Sequence, residues 1–216
     1  WCSAALRSAL PTRNPMEGLM SLERRSTTAT PEIREAGTAK VARGYAALFN
    51  VRADIGGYFS EMILPGAFAQ SLKSADVRAL INHDSGRVIG RLSSGTLRLA
   101  EDEKGLFAEI DLPDTTDGRD LATLLERGDI SGMSFGFNVT HDEWDETGPV
   151  PARTIHQIEL FEVSAVAFPA YDDTTLALRS RDEARKVTRR KNFSAAASRL
   201  RMKMSLDLAV RSGSKA

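Results

Sequence analysis

The chain has 216 residues with one cysteine, 42% apolar and 27% charged residues, and a formal net charge of zero. That length holds one well-packed domain with tails, and the balance is that of an ordinary globular protein rather than a disordered or membrane-embedded one. The lone Cys2 rules out an internal disulfide and a multi-thiolate zinc site, and no run approaches the roughly twenty apolar residues of a membrane span.

The opening Trp1–Leu10 is small and apolar in places but lacks a long hydrophobic run, and Pro11 follows at once. It reads as upstream or ragged sequence rather than a signal peptide, with Met16 or Met20 a more natural start. Residues 1–38 mix Pro, Thr, Ser and charges without sustained periodicity, which predicts a flexible arm. A compact section over 39–178 follows. Its strand-like runs cover 41–49, 77–81, 88–92, 96–100, 106–112, 130–139 and 154–168. Two short helices are predicted. Phe68 and Leu72 share a face near 67–73, and Leu121, Leu124 and Leu125 have helical spacing over 117–127, with Gly128 as the stop. Many short strands with brief helices favour a mainly β fold, a closed or nearly closed β barrel, over a doubly wound α/β sheet.

From residue 179 to 216 the composition turns basic, with twelve Lys/Arg against Asp182, Glu183 and Asp207, while the rest of the chain is acidic to the same extent. Phe193, Ala196, Leu200, Met204 and Leu208 recur at three or four residue steps, compatible with an amphipathic helix able to dock on a partner.

With three histidines in the chain, the search for a general base is short. His83 follows a predicted strand within Asn82-His83-Asp84, where an imidazole can reach a cleft from a fixed backbone. Ser134 lies in Gly132-Met133-Ser134-Phe135-Gly136-Phe137, where Met133, Phe135 and Phe137 share the core side and Ser134 faces the other way. Gly136 is expected to leave room beside it for a substrate backbone. The letters satisfy Gly-x-Ser-x-Gly, but the strand pattern continues through Asn138-Val139-Thr140, so no nucleophile elbow is expected. Ser131 and Ser164 are rival hydroxyls. Glu162 is a carboxylate in an otherwise apolar strand, a costly placement that orienting a histidine would justify; Glu159 and Asp84 are its rivals. His141 and His156 match no metal motif, the acidic run Asp142, Glu143, Asp145, Glu146 reads as a solvated loop, and no phosphate-binding fingerprint is present. Neither a cofactor nor a metal is expected.

Five blocks taken together resemble the prohead proteases of tailed phages, which are similar in fold to the herpesvirus assembly protease. They are Gly44-Tyr45-Ala46 with Phe49; Ile63 to Phe68; Asn82-His83-Asp84 with Ile89-Gly90; Gly128 to Phe137; and Leu160 to Ser164 running on to Phe168-Pro169-Ala170-Tyr171. The resemblance spans roughly residues 40–175. It implies a serine endopeptidase with Ser134 as nucleophile, His83 as base and Glu162 as third member, His156 being the alternative by analogy with the herpesvirus enzymes. It further implies cleavage of scaffold, of the scaffolding segment of the major capsid protein, or of the enzyme itself. The setting would be the immature capsid in a bacterial cytoplasm, with self-association and without nucleic acid or membrane. A non-catalytic capsid-assembly or scaffold-associated β-barrel protein is the alternative.

Overall fold

The structure, a computed structural model, describes residues 22–36 and 39–169 together with a few helical positions near the C-terminus, among them Phe193 and 201–203. The expectations for the first 21 residues and for most of the basic segment lie outside the described residues. The chain divides into two compact units, Trp1–Thr174 and Thr175–Ala216. The first carries everything that follows.

Eleven strands and two helices are described in it. A seven-stranded sheet contains β1 (Glu23–Thr27), β4 (Ala53–Ile55), β5 (Phe59–Ile63), β6 (Arg78–Ile81), β7 (Asp84–Arg91), β10 (Gly132–Asp145) and β11 (Ala152–Val166). A four-stranded sheet orders β2 (Glu32–Ala36), β3 (Ala39–Leu48), β9 (Gly105–Asp111) and β8 (Leu97–Glu101) as β2-β3-β9-β8. The helices are α1 (Ser71–Ser74) and α2 (Thr116–Arg127). The α2 ends follow their caps: the Thr115 side chain accepts the Gly118 N–H at the start, and Gly128 takes the left-handed conformation at the stop, with φ 77°.

Both sheets are open, so the expectation of a closed or nearly closed β barrel is incorrect. The long antiparallel pair β10–β11 forms the spine of the larger sheet, and the other edge of β11 is shared by two strands. Thr154 and its neighbours pair in parallel with β5, while Glu162 to Ala165 pair in parallel with β6. Between them the edge is filled by the α1 segment, where Ile158 N–H donates to Ala67 O and Leu160 N–H to Ser71 Oγ. The two branches then lead apart, β5 to β4 and β6 to β7, and no pairing joins them. Counting alternating runs reveals strands but carries no information about whether the last meets the first.

Both sheets feed one core. Ala42, Leu106 and Ile110 from the smaller sheet join Met133, Phe135, Phe137, Val163 and Ala165 from the larger. Phe135 stacks on Phe137 with centroids 4.8 Å apart, and Phe68, ahead of α1, meets Phe135 edge-on at 5.6 Å. Each such ring contributes about 2–3 kcal/mol by burial, so the parity of β10 is strongly fixed.

Residues 23–27 and 32–36 form strands, although no apolar periodicity marks them. In β1 the buried positions are Glu23, Arg25 and Thr27, on the core side of the sheet. Their charges are matched there. Arg25 Nε lies 2.7 Å from Glu61 Oε1 and its Nη2 2.8 Å from Glu23 Oε2; Arg153 Nη1 completes the set at 2.9 Å from Glu23 and 3.0 Å from Glu61. Burial pulls the Arg25 pKa down, but Glu61 and Glu23 outweigh it and the net displacement is upward.

Most of the acidic run after His141 is strand rather than loop, with only Glu146 beyond it. It continues β10 to Asp145, where Asp142 accepts from Arg153 Nε at 2.7 Å and from Trp144 Nε1 at 3.1 Å.

Candidate active site

His83 lies in a two-residue hairpin turn joining β6 to β7. Both turn residues have positive φ, 50° at Asn82 and 60° at His83, the pattern of the type I′ turn that matches strand twist. Asparagine tolerates this conformation well; histidine does so less readily, so bonds to β11 must hold the turn. They are present. Asn82 N–H donates to Ala165 O at 3.0 Å, Ala167 N–H donates to Asn82 Oδ1 at 3.1 Å, and His83 N–H donates to Ser164 Oγ at 3.2 Å.

Glu162 reaches the same place through a bulge. Gly136 pairs with Glu162 while the next residue, Phe137, pairs with Leu160, leaving Phe161 without an opposite residue. The extra residue lets both Leu160 and Val163 face the core while Glu162 and Ser164 face the other side. Glu162 Oε1 accepts from His83 Nδ1 at 2.6 Å, and Oε2 accepts from Ser164 Oγ, also at 2.6 Å. An ionised carboxylate can only accept, so Nδ1 is the nitrogen that donates to it, and in the neutral imidazole Nε2 is then the proton acceptor.

Ser134 pairs directly with Ser164 across β10–β11, one strand spacing of about 5 Å away. It therefore shares a sheet face with Glu162 and Ser164, as its opposite parity to Met133 and Phe135 predicts. It is fully buried, and its hydroxyl donates to Arg25 O in β1 at 2.9 Å. Beside the group lies a cleft of about 410 Å³, bordered by His83, Glu162, Leu80, Phe161, Arg24 and Arg78.

Of the rival orienters, Asp84 turns its Oδ1 to Gly86 N–H within its own hairpin. His156 lies on the distal half of β11, its ring 4.9 Å from that of His141 and its Nε2 3.5 Å from Glu143. Glu159 is exposed at the cleft border. Glu162 is the carboxylate hydrogen-bonded to His83.

Two residues have parts in the site that the sequence did not reveal. The space over Gly136 is filled by the Glu162 carboxylate, and a Cβ there would overlap Oε1; the expectation that this glycine makes room for a substrate backbone is incorrect. Ser164, expected only as a rival hydroxyl, spends its proton on Glu162. Its small size and placement two residues after the glutamate were the available signals. No group of three or more His, Cys, Asp or Glu with metal-binding geometry occurs among the described residues.

With these elements in place, the match of residues 26–188 to the family model for the Caudovirus prohead serine protease is decisive. This chain belongs to that family. It is 35% identical over 153 residues to the prohead protease of Enterobacteria phage HK97, covering 68% of this chain and 64% of the relative. It is 31% identical over 121 residues to the prohead protease of Escherichia phage T5, covering 56% and 54%. The matched stretches thus span less than two thirds of each relative's length. A solved structure, the bacteriophage T4 capsid assembly protease gp21, aligns with a TM-score of 0.49 at 12% identity, over 69% of this chain and 98% of that one.

Proposed function

We propose that the chain is a serine endopeptidase of capsid maturation, with Ser134 as nucleophile, His83 as general base and Glu162 as the carboxylate that orients it. The observation that carries the reading is the 2.6 Å bond from His83 Nδ1 to Glu162, formed on the sheet face that also bears Ser134. In this mechanism the Ser134 hydroxyl turns from Arg25 O to His83 Nε2 and gives up its proton as its oxygen attacks the scissile carbonyl. Glu162 stabilises the resulting imidazolium without taking its proton. The imidazolium protonates the leaving amine, and water, deprotonated by the same imidazole, then releases the acyl group.

Family membership supports substrates among capsid-assembly proteins: scaffold, the scaffolding segment of the major capsid protein, or the protease itself inside the immature shell. The basic segment 179–216 suits docking to an acidic partner, and deleting 180–216 is expected to lower incorporation into proheads while sparing peptide hydrolysis. Equal incorporation of the deleted form would exclude that use.

The second reading, a non-catalytic assembly protein, is favoured by one observation: the Ser134 hydroxyl is buried and donated to Arg25 O. Coexpression with the neighbouring capsid or scaffold protein separates the two. The native chain is expected to give cleavage products by intact mass, and folded Ser134→Ala and His83→Ala none. Full processing by folded Ser134→Ala would end the assignment, and no cleavage by the native chain with any assembly partner would favour the second reading.

A further inference from the structure

We propose that Ser164 is a positioning residue, holding both the carboxylate and the histidine turn of the site through one hydroxyl group; this deepens the protease reading and rests on it. Ser164 is fully buried and uses its hydroxyl in both directions. Its proton goes to Glu162 Oε2 at 2.6 Å, and its oxygen accepts the His83 main-chain N–H at 3.2 Å. The two oxygens of Glu162 are thereby divided, one for Ser164 and one for the imidazole, so the carboxylate cannot rotate without breaking a bond. The same serine anchors a non-glycine residue at φ 60°, a conformation that needs support from outside the turn.

Removing the hydroxyl unties both contacts at once. Two buried polar groups, Glu162 Oε2 and the His83 N–H, lose their Ser164 partner, which favours movement of both the carboxylate and the turn.

Two measurements on the full chain test this. The first is the rate at which a fluorescent fluorophosphonate labels Ser134 at fixed pH, a reaction that requires an activated serine but no knowledge of the peptide substrate. Ser164→Ala is expected to slow labelling about tenfold. In a Glu162→Gln background the same substitution is expected to cost less than in the native chain, because the carboxylate it orients is gone while the His83 N–H it accepts from remains. Equal losses in both backgrounds would make Ser164 merely structural, and labelling of Ser164→Ala at the native rate would also overturn the proposal.

The second measurement is the downfield Nδ1–H proton resonance of His83 in protein labelled with ¹⁵N-histidine, which needs no activity. It is expected in the native chain and in Ser134→Ala, and to be shifted or lost in Ser164→Ala; an unchanged resonance would overturn the proposal. A native chain that is never labelled, yet loses the resonance on Ser164→Ala, would refute the catalytic reading while retaining the positioning one. Should Ser164→Ala fail to fold by thermal melting, Ser164→Cys, with its weaker donor, is the comparison. It is expected to show the same effects at smaller amplitude, and native behaviour there would count against the proposal.

Discussion

Ser134 and Ser164 face each other across β10 and β11, yet their hydroxyls are committed in opposite directions, Ser134 to the carbonyl of Arg25 in β1 and Ser164 to the carboxylate of Glu162. Two adjacent serines on one sheet face are thus chemically distinct. The one opposite the N-terminal strand can free its proton by a side-chain rotation, whereas the other can do so only by dismantling the carboxylate's support.

The glycine opposite Glu162 gives the sharpest mutational test. Gly136→Ala would put a methyl group into the volume held by Glu162 Oε1. The carboxylate must then move off His83, and cleavage is expected to fall a hundredfold or more, at a stability cost of about 1–3 kcal/mol from overpacking. Peptide hydrolysis alongside urea denaturation checks this; unimpaired hydrolysis by the alanine variant would contradict the position described for Glu162.

The turn itself is testable through Asn82. Asn82→Ala places an alanine at φ 50° and removes the bond to Ala167 N–H, an expected loss of about 2 kcal/mol in urea denaturation together with reduced hydrolysis. Asn82→Gly relieves the backbone and should cost about half as much. Equal losses in the two variants would mean that the side-chain bond, which both remove, and not the backbone conformation, dominates.

Arg25 with Glu23, Glu61 and Arg153 predicts a strong single-mutant effect and a weaker double-mutant one. Arg25→Met leaves two buried carboxylates facing Arg153 and should destabilise by about 3–5 kcal/mol. Combining it with Glu61→Leu should recover part of that loss, because the excess buried charge is removed as well. Equilibrium unfolding of the two variants decides the point, and additive losses would argue against the ion cluster as the origin.

Acid stability should depend on two exposed-face carboxylates. Hydrogen bonds from Arg91 and Ser93 hold Asp76 below its ordinary value of 3.8, and Arg98 does the same for Asp111. A depressed native pKa contributes stability that is complete above the ordinary value and disappears as pH falls through the native one. Stability should therefore decline below about pH 4, and Asp76→Asn should flatten that decline. A thermal-melt series from pH 7 to pH 2 for both proteins gives the answer; superimposable normalised curves would contradict it.

How much of this was legible in the sequence depends on what each residue's neighbours were. The core parity of β10 could be read because Met133, Phe135 and Phe137 are apolar at alternate positions, and α2 could be read because its leucines and Gly128 are local signals. The strand β1 could not, since its inward residues are Glu23 and Arg25 and their burial makes sense only once Glu61 and Arg153 are beside them. The open sheet was hidden for a related reason: whether β4 and β7 meet is a property of distant pairing. In the site, His83 and Ser134 stood out by residue type and parity. The place of Gly136 was misread because the bulge at Phe161, which brings Glu162 over it, is a relationship between two strands and leaves no mark on either alone.

The position of β10 between β1 and β11 has a consequence for recognition. Both backbone edges of the strand beside Ser134 are already engaged, so a peptide has no free ladder there to extend. On the protease reading proposed above, the scissile segment crosses the sheet face, held by side chains at the border of the cleft. A peptide N-methylated on the amides flanking the cleaved bond should consequently lose less turnover than one whose flanking side chains are cut back to alanine, and the reverse ranking would mean that β1 gives way to the substrate.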